Sequence, residues 1–497
     1  MKGSSTLSAE IMLGVALALG LCLRVLGSDH PFESSDNAEL ALRVLDHHGI
    51  TWVFGERYGF LNPLAVKVFS ALTSDAINRP INEWLFKLPV ALMGTAQIAL
   101  SFAFARRLQL DSMSAAIVAL VTAVFPLHVM QSRYLWGYEV FGLFFLTIAL
   151  WKLFDFYERP SASNALASGA ATAVYLVSHG FIVPFFPLFA VVATLMGGVR
   201  ALSLFRDHRA VWVVPLLYAP FLAPALQHTA DKNAKLGFYL FDYAEPMLAN
   251  LGWPLVLVFS TGATLWLFRV RAGRDLMIFY GGGVLYLMPL VFGAAPGSTV
   301  TRGYMLVGAY LLVFAALVSL LRSPPAIRRW TGPFLALTVV STGYGVGESI
   351  FQRDQGYDVT GIRGERGVVP LDPGTKTAGV YVRQHVPAEA RLLAVHLGLE
   401  PPNARYYLGR TTRAFFDLPL DELDEKLIQH AAESDVILAA PELDPGPDFE
   451  TVCDVFAEGQ RVLVVYARPE LGLPRAHWET AEHNQVFDRD HAPIARF

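Results

Sequence analysis

Of the chain's 497 residues, 54% are hydrophobic and only 16% charged, whereas a soluble domain carries about 25% charged residues. A net charge of −4 without a basic face argues against nucleic-acid binding, and Cys22 and Cys453, with no C-x-x-C or zinc spacing, do not suggest a disulfide or a zinc site. Residues 349–497 hold 24 acidic and 15 basic groups, while residues 1–348 are net +5. The division implies a polytopic α-helical membrane protein, with a transmembrane domain over 1–348 and an extramembrane domain over 349–497.

Apolar segments of about spanning length fall near 9–27, 85–105, 112–128, 137–154, 164–179, 181–197, 210–228, 250–268, 276–293, 303–321 and 331–348, eleven in all. Only Ser178, His179 and Gly180 separate the fifth from the sixth, so these are a tight hairpin or a broken pair. Residues 11–23 have the length of a signal-peptide core, but Glu10 precedes them and no small-x-small site follows, which predicts an uncleaved first helix. With the N-terminus inside, thirteen Lys and Arg fall in the inner segments and four in the short outer loops. The expected topology therefore puts the N-terminus in the cytoplasm, and the first loop (28–84) and the C-terminal domain outside the plasma membrane. In that domain, helices are expected near 376–385, 420–433 and 448–457, and strands at 391–395, 435–440 and 461–467. The alternation predicts a small α/β layer with a mostly parallel sheet. The chain holds no G-x-G-x-x-G and no G-x-x-x-x-G-K-[ST], which points away from a nucleotide-sugar donor, and no internal repeat of the secondary-transporter kind.

The first outer loop is the most informative stretch. Ala38, Ala41, Leu42 and Leu45 recur at helical spacing, so Asp36 stands at the start of a short amphipathic helix expected to lie on the membrane. Asp36 and Glu39 have the spacing of a capping box, which needs no catalytic role. The alternative is a membrane-apposed carboxylate that takes a proton from an attacking hydroxyl.

Here the chain resembles lipid-dependent glycosyltransferases of the GT-C fold, above all the protein O-mannosyltransferase and aminoarabinose transferase relatives. The resemblance begins with Arg24-Val-Leu-Gly27, the acidic loop and Asp36. It continues through Leu61-Asn-Pro63-Leu, in the place of a His-Pro-Pro-Leu motif, and Leu85-Phe-Lys-Leu-Pro89-Val-Ala-Leu-Met-Gly94. Phe125-Pro-Leu-His128-Val-Met-Gln-Ser132-Arg133, Val300-Thr-Arg302-Gly-Tyr304 and Tyr406-Tyr407-Leu-Gly409-Arg410 complete it, in the family's order across nearly the whole chain. In those families the first loop carries an Asp-Glu pair whose Asp is the proposed catalytic base, which here implies Asp36. The second acid is replaced by Asn37, and the His of His-Pro-Pro-Leu is missing. Both departures weaken the case for a divalent metal, which wants several carboxylate oxygens, and Glu39 stands one turn along from Asp36.

Glu139, at the outer start of the fourth span, falls where O-mannosyltransferase relatives have an Asp, and is the second catalytic candidate; otherwise it is a snorkelling glutamate. Arg302, the sole cation in a loop of small residues, and Arg133 suit a lipid phosphate, with His128 and Tyr304 beside them in their motifs. For His128 and Arg133 ordinary interfacial anchoring is the equal alternative, and for His179 a satisfied structural histidine is the plainer reading. Glu56, Arg57 and Tyr58 are candidates to line the acceptor groove. Aromatic residues at span ends read as interface belts.

The resemblance implies an inverting glycosyltransferase that moves a sugar from a polyprenyl-phosphate donor to a lipid, glycan or protein acceptor outside the membrane. A transporter or lipid flippase would need polar residues deep inside spans, whereas the unusual polar residues of this chain are expected at the outer ends, and an inactive scaffold is the alternative that Asn37 keeps open.

Overall fold

The computed structural model describes residues 2–26, 35–46, 50–55, 59–77, 83–178, 199–217, 274–292, 299–323, 336, 374–396, 401–410, 412–415, 420–457 and 459–480. Twelve helices precede the C-terminal domain in these residues: α1 (Lys2–Val25), α2 (Ser35–Asp46), α3 (Leu61–Ile77), α4 (Glu83–Arg107), α5 (Ser112–Val124), α6 (Pro126–Gln131), α7 (Tyr138–Glu158), α8 (Ala162–Ser178), α9 (Val199–Asp207), α10 (Ala210–Leu217), α11 (Arg274–Phe292) and α12 (Thr299–Leu321). Three stretches in the described residues are long and apolar enough to cross a membrane: Leu7–Val25, Glu83–Arg107 and Tyr138–Glu158. The spans expected at 181–197, 250–268 and 331–348 lie outside the described residues, apart from the single residue 336.

Local chemistry explains two boundaries. Asp111 caps α5, its carboxylate accepting the Ser114 amide at 2.8 Å. The span expected over 112–128 ends at Val124, because Pro126 lacks an amide hydrogen and holds Phe125 at an extended ψ of 114°. The chain restarts as the short α6, with Pro126 in its first turn. The bundle core is aromatic: Phe104 packs against Trp151, Phe154, Phe279 and Phe314, with ring centroids 5.5–6.0 Å apart.

The two ends of the bundle differ. At one, Arg107 holds Asp155 at 3.0 Å and Glu158 at 2.6 Å, and Arg322 donates to the Leu108 carbonyl. At the other, Leu85 and Phe86 near the start of α4 and Tyr138 at the start of α7 share an apolar cluster with α2 and with Val66 of α3, both from the first loop. Phe60 of that loop donates its amide to Val177 at the end of α8, at 3.0 Å.

The C-terminal domain comprises α13 (Thr375–His385), β1 (Leu392–Val395), α14 (Pro401–Leu408), β2 (Arg413–Phe415), α15 (Leu420–Ala431), β3 (Val436–Ala439), β4 (Glu450–Ala457), β5 (Gln460–Ala467) and β6 (Ala476–Glu479). Its six strands run β2-β1-β3-β5-β4-β6. Pairs β1–β2, β1–β3 and β4–β6 are parallel, whereas β3–β5 and β4–β5 are antiparallel, so the sheet is more mixed than expected. The helix expected at 448–457 is a correction: Glu450–Ala457 is strand β4. The four-residue spacing of Glu450 and Asp454 imitates a helical face, but Thr451, Val452 and Val455 favour a strand. A hairpin settles it: Ala457 pairs with Gln460, and Gly459 adopts φ +77° at the connection.

Candidate functional site

Helix α2 is built as a two-faced element. Asn37, Ala38, Leu40, Ala41, Leu42 and Val44 are buried, while Glu39 and Arg43 form an ion pair on the open side. The buried face meets protein, not only a membrane surface as expected. It shares one apolar cluster with Leu85 and Phe86 of α4, with Leu135, Trp136 and Tyr138, and with Tyr406 and Tyr407 of the C-terminal domain. Asp36 lies in the first turn of α2; its side chain is outside the described residues. Glu39 is engaged one turn forward with Arg43, rather than back towards Asp36 as a capping box requires.

The segment from His128 to Tyr138 is where the family-like motifs converge. Arg24, fully buried, donates to the Gly20 carbonyl at 2.7 Å and the Ala123 carbonyl at 3.1 Å, and its Nη2 meets His128 Nδ1 at 2.7 Å. Since a guanidinium only donates, Nδ1 accepts, and the His128 proton sits on Nε2. Ser132 Oγ donates to the His128 carbonyl at 2.5 Å. Gly94 of α4 packs so close that an added Cβ would lie 2.2 Å from Ser132 Oγ and 2.9 Å from Arg24 Nε. Residues of three motifs thus form one knot joining α1, α4 and α6. Arg133 Nη1 donates to the carbonyls of Leu23 and Leu26, at 2.8 and 2.6 Å, a fastening at the end of α1. Glu139 is buried in the first turn of α7, where the helix dipole favours an acid.

Two asparagines attach the first loop to this segment. The Trp136 amide donates to Asn37 Oδ1 at 2.8 Å, and Asn62 Nδ2 donates to the Leu135 carbonyl at 3.1 Å. The other end of α2 is tied by Lys67 Nζ to the Val44 carbonyl at 2.5 Å and by Asp46 to Arg405 of α14 at 3.0 Å. Behind α14, Arg383 donates from Nε to the Tyr407 carbonyl at 2.5 Å and from Nη2 to that of Tyr406. Burial draws the Arg383 guanidinium down to about 10.

Arg302 and Tyr304 lie in the first turns of α12, with their side chains outside the described residues; Arg57, Tyr58, Glu56 and His179 lie wholly outside them. Among the described residues no three His, Cys, Asp or Glu side chains gather where they could share a metal ion.

Two features escaped the sequence reading. Lys376 Nζ lies 3.5 Å from Glu83 Oε2, both side chains at most 2% exposed, so a buried ion pair joins the C-terminal domain to the start of α4. Inside the bundle, Gln97 donates to Thr147 at 3.2 Å and to Tyr310 at 3.1 Å, and Ser101 meets Tyr310 at 2.6 Å. That network corrects the expectation that polar residues keep to the outer ends of spans. The signal was present as polar residues set in an apolar run, Lys87 one turn after Glu83 and Gln97 about three turns beyond Lys87.

No protein-family model matches the chain, and no curated protein matches it in sequence. Solved structures do. ArnT from Cupriavidus metallidurans, bound to undecaprenyl phosphate, superposes with a TM-score of 0.57 at 14% identity, over 92% of this chain and 97% of that one. The archaeal oligosaccharyltransferase AglB from Archaeoglobus fulgidus, in complex with an inhibitory peptide and a dolichol-phosphate, gives 0.52 at 10% identity, over 87% of this chain and 69% of that one. At such identities the likeness shows the fold alone: the architecture this chain adopts is the one it shares with these two structures, the GT-C fold.

Proposed function

We propose that the chain is an inverting glycosyltransferase that moves a sugar from a polyprenyl-phosphate donor to an acceptor on the outer face of the plasma membrane. The observation that carries this reading is the seating of α2, with Asp36 in its first turn, against the end of a GT-C bundle where the C-terminal domain also docks. The two structural neighbours each hold a polyprenyl-type phosphate, which supports a lipid-linked donor here. Asp36 takes the proton of the acceptor hydroxyl as its oxygen attacks the anomeric carbon, the bond to the phosphate oxygen breaks, and the lipid phosphate leaves. Arg302 offers a planar fork to the charge growing on that phosphate. Arg133 and His128 serve the scaffold, given their contacts with α1.

The deciding experiment incubates the purified protein with polyprenyl-phosphate hexoses and pentoses and measures release of polyprenyl phosphate. Release is the expected result. A flippase, which the Gln97–Tyr310 network would favour, moves the lipid across a bilayer and leaves the sugar bond intact.

Two further outcomes are expected. Arg302→Ala should lower donor efficiency by about ten- to a hundredfold, the value of a charged hydrogen bond, and Arg302→Lys by less. If initial rates against donor concentration are unchanged in the alanine variant, Arg302 is not in the site. A reporter active only in the cytoplasm, fused after Phe497, should be silent; the docking of α13 and α14 at the same end as the first loop supports that sidedness. Strong reporter activity would overturn it.

A further inference from the structure

Asn37 occupies the position of the second acid in the family-like pair, and its side chain is fully buried. Its oxygen accepts the amide of Trp136 at 2.8 Å, at the turn that leads into α7. That amide precedes α7, so it lacks a partner within the helix, and burial makes leaving it unsatisfied costly. The next residue back, Leu135, receives Asn62 at 3.1 Å, so both helices of the first loop hang from two consecutive residues. At its far end α2 is held by Lys67 and Arg405. At the turn that carries Asp36, the amide oxygen of Asn37 supplies a directional tie.

Consecutive helical residues are separated by about 100° around the axis, so the depth and rotation of Asn37 set those of Asp36. We propose that Asn37 is a positioning residue for the transfer reaction: its bond to the Trp136 amide sets where the Asp36 carboxylate stands against the acceptor hydroxyl. The proposal rests on the reading of Asp36 as the base. On this account the departure from the family-like acid pair is a working part of the site rather than a mark of lost activity.

The test compares Asn37→Leu, similar in volume but without an acceptor, with Asn37→Asp, which keeps an oxygen in place. The full-length protein is purified in lipid nanodiscs and given the polyprenyl-phosphate sugar that the wild type turns over fastest. The leucine variant should lose about ten- to a hundredfold in kcat with donor KM within about twofold, as for a catalytic group misplaced by an ångström. The aspartate variant should stay within about threefold of wild type, because the acceptor is retained. Hydrogen exchange, which needs no substrate, should quicken in α2 for the leucine variant and not for the aspartate one. Asn37→Ser, whose oxygen falls short of the Trp136 amide, should behave as leucine does and serves if the leucine variant does not fold. Unchanged kcat in the leucine or serine form, an aspartate form as slow as leucine, or unchanged exchange in α2 would each overturn the proposal. An inactive Asp36→Asn beside an active Asn37→Leu sinks this inference alone; an active Asp36→Asn sinks the base and the inference together.

Discussion

Replacing Asp36 by asparagine is expected to slow transfer by about a hundred- to ten-thousandfold, the contribution of a general base, with expression and melting temperature at wild-type values. The substitution separates two roles in one step, because asparagine caps a helix about as well as aspartate but cannot accept the acceptor's proton. The local geometry bears on the same choice. A capping box needs Glu39 to reach back to the start of α2, whereas Glu39 is bonded to Arg43 one turn forward. Helix α2 also begins at Ser35, before Asp36. The i, i+4 pair is half-exposed, so Glu39→Ala should cost about 0.5 kcal/mol or less in stability. Initial rates of polyprenyl phosphate release for Asp36→Asn decide the matter, and turnover retained at the wild-type level ends the base assignment.

The second large effect concerns the junction between the bundle and the C-terminal domain. Glu83 opens α4 and meets Lys376, near the start of α13, at 3.5 Å, with both side chains buried. Lys87, one turn along α4 and also buried, acts electrostatically on the same carboxylate. Breaking a buried pair by removing one partner costs about 3–5 kcal/mol, since the remaining charge stays out of water. Glu83→Leu should therefore be the more damaging change, because it leaves two buried ammonium groups without that carboxylate, and Lys376→Met the milder. The double variant Glu83→Leu/Lys376→Met should recover only part of the loss, because it removes the Lys376 ammonium but leaves Lys87 buried without that carboxylate. Thermal unfolding of the purified proteins should show a fall on the order of 5 °C or more for Glu83→Leu. Hydrogen exchange should quicken in α14, whose Tyr406 and Tyr407 lie against α2, and the glycosyl transfer rate should fall with it. Equal stability of both single variants and wild type would show that the pair does not hold the domains together.

The sequence by itself determined which stretches are apolar over a membrane's width, and α1, α4 and α7 fall where hydropathy places them. It also determined the two-faced character of α2 and the β-rich runs that became β1, β3 and β5, because amphipathic period and β-branched content are local properties. The family-like order of motifs was legible for the same reason, as each is contiguous in the chain. Tertiary structure decided what those residues touch. Strand β4 competes with a helical spacing of acids, and only its pairing with β5 resolves it. Arg133 reads as a phosphate ligand until α1 brings its terminal carbonyls within 2.8 Å, and Asn37 reads as a lost acid until an amide 99 residues away finds it. The buried polar chain of Gln97, Ser101, Thr147 and Tyr310 draws on three helices, and Glu83 meets Lys376 from another domain. A helical period says which face a side chain takes, whereas the depth at which helices sit beside one another, set by packing of the whole bundle, decides which polar atoms meet.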